Sequence, residues 1–173
     1  MRNLSILSLL VIFSLSFFSC SDYKSGLISH INEIEEKLNS TTYTPKLNKE
    51  NIYLIRELYQ DFIEHYPEDT LTATYAFSLA QNYVHAKKYT LAIEQLDYII
   101  NKHSTAKTRG KAMFYKGFLY WENLNMPEKA KLFFQDFIDQ YPEHPLKNDA
   151  ISSIKIIENK WGLEDIIKQN KAS

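Results

Sequence analysis

Two stretches decide the fold because they are nearly the same stretch. Residues 59–68 read Tyr59-Gln60-Asp61-Phe62-Ile63-Glu64-His65-Tyr66-Pro67-Glu68. Residues 134–143 read Phe134-Gln135-Asp136-Phe137-Ile138-Asp139-Gln140-Tyr141-Pro142-Glu143. Between them, Leu96-Asp97-Tyr98-Ile99-Ile100-Asn101-Lys102-His103-Ser104 is a degenerate copy. Pro67, Ser104 and Pro142 are 37 and 38 residues apart. A period in this range, built from paired helices, signals a helical solenoid.

Working outward, the apolar residues keep a helical period. Leu27, Ile28, Ile31, Ile34 and Leu38 hold one face over Leu27–Asn39. The loop Ser40–Pro45 ends that helix, and Asn48 is a good N-cap for the next, which carries Ile52, Ile55, Leu58, Tyr59, Phe62 and Ile63 and stops at Tyr66-Pro67. Thr70 is expected to cap a helix to His85, and others cover Tyr89–Lys102 and Thr105–Glu122. Pro127, pre-set for a first helical turn, opens a sixth helix to Gln140. Pro145–Trp161 make a seventh, Gly162 is placed as an αL stop, and Leu163–Gln169 form a short final helix. No strand pattern is found.

Consensus residues connect the repeat to a family. With Leu79 as seventh position of a unit that begins at Ala73, the first helix reads Leu79-Ala80-x-x-Tyr83 and the second carries Ala92, Leu96 and Ile99. The next copy reads Lys116-Gly117-x-x-Tyr120, then Ala130, Phe134, Phe137 and Pro142, with one extra residue in the Asn123–Met126 turn. This resembles the tetratricopeptide repeat (TPR). In such a repeat the small Ala80 and Gly117 let paired helices approach, Ala92 and Ala130 do so from the facing helix, and Tyr83 and Tyr120 fill the gap to the next repeat. Lys116 at the usual Leu, Ser104 at the usual Pro and the missing Trp at position four depart from the pattern. The resemblance implies an all-α, TPR-like right-handed solenoid of antiparallel helix pairs, with about seven helices plus a short C-terminal one. Its divisions are a partial repeat at 27–67, repeats at 70–104 and 105–142, and capping helices at 145–170.

The front end reads Met1-Arg2-Asn3-Leu4-Ser5-Ile6-Leu7-Ser8-Leu9-Leu10-Val11-Ile12-Phe13-Ser14-Leu15-Ser16-Phe17-Phe18-Ser19-Cys20. Arg2 supplies a positive start, and the apolar run Leu4–Phe18 is shorter than the ~20 residues of a bilayer span. The run ends at Ser19-Cys20, the chain's only cysteine, and polar residues follow at once. An ordinary signal peptide, or an uncleaved anchor with an incidental cysteine, is the competing reading. The stretch resembles the lipobox of bacterial lipoproteins; Phe17 and Phe18 depart from the usual box. The resemblance implies a signal peptide over 1–19, a lipidated Cys20, a tether over 20–26 and a helical domain over 27–170. A lone cysteine in an exported chain makes no internal disulfide, which agrees with lipidation. The F-I-x-x-Y-P string on such a chain is similar to outer-membrane TPR lipoproteins, among them the TPR subunit of the β-barrel assembly machinery and periplasmic coordinators of envelope construction. The segment Lys160–Lys168 resembles the end of short TPR lipoproteins. The expected location is the periplasmic face of the outer membrane, and the expected partner is another envelope protein or peptide segment.

Composition narrows the work. The chain has 173 residues, and Lys+Arg total 20 against Asp+Glu 21. Without a basic excess, nucleic acid is not an expected partner. The four glycines do not cluster into a phosphate-binding loop. The histidines (His30, His65, His85, His103, His144) fall near helix ends or loops with no His-x3-His pair, so no metal and no cofactor is expected. Asp136 with Asp139, and Glu33 with Glu35 and Glu36, read as solvated faces beside lysines. The chain reads as no enzyme.

In the TPR family, ligands lie in a groove lined by the first helix of each pair. Carried over, its positions are Thr74, Phe77, Gln81, Val84 and His85, then Lys111, Phe114, Phe118, Trp121 and Glu122. Phe114, Phe118 and Trp121 share one helical face and form a candidate wall for a peptide, with a glycan or lipid as the alternative ligand. The competing reading is that these rings are core. The cationic clamp of lysine, asparagine and arginine by which some TPRs grip a terminal carboxylate has no counterpart, since Phe77, Gln81, Phe114 and Phe118 stand there. Exposure of the wall discriminates: exposed and rimmed by Lys111 and Glu122 it suits a peptide, enclosed it suits a small ligand.

Overall fold

The computed structural model describes residues 22–40 and 45–172, with side-chain surroundings for 22–40 and 49–160. Cys20 and the export segment lie outside the described residues. Among the described residues every regular element is helical: α1 (22–39), α2 (Pro45–His65), α3 (Thr72–His85), α4 (Tyr89–Lys102), α5 (Thr108–Phe118), α6 (Pro127–Gln140) and α7 (Lys147–Ala172). None of them is long and apolar enough to cross a membrane.

The chain divides into two compact units, Met1–Pro67 and Glu68–Ser173. In the first, α1 and α2 bury Leu27, Ile31 and Ile34 together with Ile55, Tyr59 and Phe62. Tyr59 Oη donates to Glu35 Oε1 at 2.5 Å, so the buried phenol keeps a partner. The second unit is a TPR-like helical solenoid in which each of α3 to α6 packs on the next, and α3 also meets α5. Ala76, Leu79 and Ala80 of α3 and Ala92, Leu96 and Ile99 of α4 are buried. Farther along, Met113, Ala130, Phe134, Phe137, Ala150 and Ile157 form one core cluster.

Small residues set the closest approaches. A methyl group at Gly117 would stand 2.9 Å from Phe134 Cδ1, so the bare backbone is what admits that ring. Ala80, Ala92 and Ala130 are fully buried at the equivalent contacts.

Several boundaries differ from the sequence expectation. Residues 22–26, ahead of the expected start at 27, already belong to α1, so most of the expected tether is helical. Two contacts hold this stretch to α2: Tyr23 Oη donates to Asp61 Oδ2 at 2.5 Å, and Lys24 Nζ sits 5.7 Å from the Tyr66 ring centre. Helix α2 opens at Pro45 instead of being capped by Asn48. Helix α3 is not capped by Thr70. No side chain caps it; the turn ahead of it is held by Asp69, whose Oδ1 accepts the Leu71 N–H at 2.9 Å and whose carbonyl accepts the Thr72 N–H at 3.1 Å. Helix α5 starts at Thr108 rather than Thr105, because the chain first makes a turn in which Ala106 N–H bonds His103 O. Gly162 does not stop a helix; α7 runs through it without positive φ, and the separate final helix is absent. One glycine costs a helix only about 1 kcal/mol, which flanking turns offset.

The extra residue of the second repeat has a structural form. In the α3–α4 turn, Lys88 N–H bonds Tyr83 O at 2.8 Å and Lys87 takes φ of 58°. In the next repeat, Met126 N–H bonds Tyr120 O at 2.7 Å and Asn125 takes φ of 51°. The added residue lies between, where α5 widens into a π turn over Leu119–Asn123.

Candidate functional site

Helices α3 and α5 meet through aromatic side chains. The Phe77 and Tyr115 rings stand 5.5 Å apart, inclined by 52°. Lys111 Nζ lies 4.7 Å from the centre of Phe77, a cation over a ring face. Tyr115 stacks on Phe118 at 6.2 Å with only 6° between planes. Burial raises the Tyr115 phenol above the ordinary tyrosine value, since a phenolate would lose its solvent there.

The ten carried-over positions separate by depth. Phe77 is 5% exposed and forms a floor rather than a contact surface. Gln81 and Val84 are half-buried, while Thr74, His85, Lys111 and Glu122 face solvent. Phe118 is 36% exposed, an open aromatic ring beside that floor.

Phe114 and Trp121 correct the expectation of a three-ring wall. Phe114 stands 5.5 Å from Phe134 and 5.7 Å from Phe137, and Trp121 packs on the same core cluster. The close approach at Gly117 brings α6 near enough for these rings to pack on the core, which leaves both partly buried. Tyr115, next to the predicted position Phe114, is half-buried and supplies the ring on which Phe118 stacks. Helical spacing alone did not single it out.

Tyr120 is also placed differently. Instead of filling the gap to the next repeat, it stacks on Phe133 at 5.1 Å and 9°. Lys116, the residue out of pattern, is 8% exposed; its Nζ donates to Asp97 Oδ1 and lies 4.2 Å from the Phe133 ring centre. The buried ammonium is thus paired and roofed by an aromatic face.

Among the described residues, no three His, Cys, Asp or Glu side chains gather so as to hold a metal ion.

Residues 111–144 match the tetratricopeptide-repeat family. The chain contains a tetratricopeptide repeat. The match spans most of α5, the π turn, α6 and the following loop to His144. No curated protein matches the chain. Repeats of this class work as protein-binding surfaces rather than as catalytic centres, because stacked helices present an extended face and no enclosed reaction site.

Proposed function

We propose that this TPR protein is a membrane-anchored scaffold of the bacterial cell envelope that holds another envelope protein against the α3–α5 face. The observation that carries the reading is Phe118: an exposed ring, stacked on Tyr115 beside the Phe77 floor, with charged Lys111 and Glu122 exposed on the same helix and its π turn. An open aromatic anchor with a polar rim suits a peptide segment, apolar on the side that meets Phe118, better than a small ligand needing enclosure. The anchor in this reading is Cys20, whose place at the end of the apolar run supports acylation. Several chains on one cysteine hold a protein at a membrane, at ~0.8 kcal/mol per buried CH2. The outer membrane, facing the periplasm, is the location that the lipobox resemblance favours, with a place beside the β-barrel assembly machinery among the candidate settings.

The test is crosslinking and pull-down from native membranes with wild type and Phe118→Ala, both keeping Cys20. Loss of a specific partner in the variant, with helicity by circular dichroism unchanged, is the expected result. A partner retained by Phe118→Ala moves the interface off this face, and no partner with either protein overturns the scaffold reading. Fractionation of Cys20→Ala tests the anchor. The chain should leave the membrane fraction, and a variant that stays there sinks lipidation.

A further inference from the structure

Helix α6 carries two stripes at helical spacing. Pro127, Ala130, Phe134 and Phe137 form the inner stripe and are buried. Lys129, Leu132, Phe133 and Asp136, spaced i, i+3, i+4 and i+7, form an outer one. Leu132 is 71% exposed, more than any other exposed large apolar side chain among the described residues. A lone surface leucine asks for no explanation, but this one has particular neighbours.

Beside Leu132 the half-buried Phe133 ring stacks on Tyr120 at 5.1 Å and 9°. These two rings, with Lys129, Leu132 and Asp136, line an open dish of about 450 Å³. An apolar knob and an apolar dish thus share one face. Both charges of the stripe are exposed. Lys129 Nζ lies 5.4 Å from the Tyr120 ring centre, and Asp136 Oδ1 accepts from Gln140 Nε2 at 2.7 Å. A carboxylate with one such bond still has room for a further donor.

We propose that this face pairs with the same face of a second copy of the chain, the two α6 helices running antiparallel about a two-fold axis between Leu132 and Phe133. The order of the residues singles out a second copy. Lys129 stands three residues before Leu132, and Asp136 stands three residues after Phe133. An axis between the central pair therefore sets each Leu132 against the dish and Phe133 of the second copy. It also sets each Lys129 opposite Asp136 of the second copy. An isologous contact requires this self-complementarity, in which residue i meets j and j meets i. Parallel helices would instead set lysine against lysine and aspartate against aspartate, which is unfavourable. Four residues of one stripe thereby yield two knobs in dishes and two ion pairs.

The 14 residues of α6 span about 21 Å, so the contact falls at the small end of specific interfaces. Pairing is accordingly weak in dilute solution. Two copies held on one membrane meet at a higher effective concentration. That gain rests on the anchor reading; the pairing itself does not. Phe118 takes no part in this face.

The experiment co-expresses two copies of the full chain with different tags, crosslinks them in cells with formaldehyde, purifies through one tag and probes for the other. Wild type with wild type should give a species of two-chain mass that carries both tags. Lys129→Glu in both copies, or Asp136→Lys in both, should lower its yield about tenfold, since like charges then meet at both symmetric contacts. Lys129→Glu in one copy with Asp136→Lys in the other should restore it, because each contact again joins opposite charges. A third protein bridging two copies gives no such restoration. Both substituted positions are exposed, and so is Leu132, whose change to Asp in both copies should abolish the species. Phe118→Ala in both copies should leave it intact, which separates this pairing from the binding of an envelope partner. Absence of the two-chain species in wild type, its persistence in both charge variants, its loss with Phe118→Ala, or failure of the mixed pair to restore it overturns the proposal.

Discussion

At Gly117 the absence of one methyl group determines how closely two helices meet. Alanine there would bring Cβ to 2.9 Å from Phe134 Cδ1, and Phe134 is fully buried with no room to move aside. Overpacking costs about 1–3 kcal/mol and the better helix propensity of alanine returns up to about 1. Gly117→Ala should therefore lose about 1 kcal/mol in a denaturant titration; a gain would show that Phe134 yields. Lys116 shows the opposite relation, a polar residue placed where the repeat pattern has leucine. Its Asp97 partner is 39% exposed at the side chain and keeps solvent when the lysine is removed. Lys116→Leu should leave stability unchanged or raise it, as replacement of buried ion pairs by apolar groups often does. Titration adds a test on Tyr115. Its folded-state pKa is raised above 10.0 by burial, so the folded chain holds that proton more tightly than the unfolded chain does. This group's contribution to stability is intact below pH 10 and falls as pH climbs above it. Tyr115→Phe should flatten the alkaline fall in stability measured by thermal melts between neutral pH and pH 11 or so. An unchanged alkaline profile would mean that the phenol is solvated. The small residues at 80 and 117 were legible in the sequence because repeat spacing marks them. The partner of Lys116 was not, since Asp97 belongs to another helix and the pairing exists only once α4 and α5 are side by side.

Helices were legible as elements because each carries its own apolar stripe, and Tyr-Pro and Pro127 mark ends and a start locally. Errors fell where a boundary depends on contacts from elsewhere. Residues 22–26 of α1 have partners on α2, where Tyr23 and Lys24 find Asp61 and Tyr66. Helix α7 continues past Gly162, whose intrinsic penalty is small against a turn of helix on either side. An added residue in the second repeat was countable in the sequence, but its absorption as a π turn reflects the fixed positions of Tyr120 and Asn125 around it. Between elements, Arg109 is a clamp with hydrogen bonds to the end of α4 and the end of α6. Arg109→Lys keeps the charge but loses the fork, and should lower stability by about 1–2 kcal/mol, somewhat less than the usual worth of charged hydrogen bonds because the site is partly solvated. Thermal melts of the variant at neutral pH check this, and an unchanged midpoint would remove Arg109 from the junction's energetics.

For the molecule as a whole, the repeating contacts make stability a sum of units and interfaces between neighbours. The unit Glu68–Ser173 has its own core cluster of Met113, Ala130, Phe134, Phe137, Ala150 and Ile157. Expressed alone, it should melt cooperatively with a helical circular-dichroism spectrum; a non-cooperative melt would show that the first unit is required for its fold. By itself the sequence determined that the chain is all helical, that its helices come in repeated pairs and that a tetratricopeptide pattern is present. These are local or periodic properties, written in apolar spacing, proline positions and small residues every repeat. Which aromatics stay open was settled only by tertiary structure. Phe114, Phe118 and Trp121 look alike on a helical wheel, yet two of them pack on the core and one faces solvent, because exposure depends on what the neighbouring helix brings near.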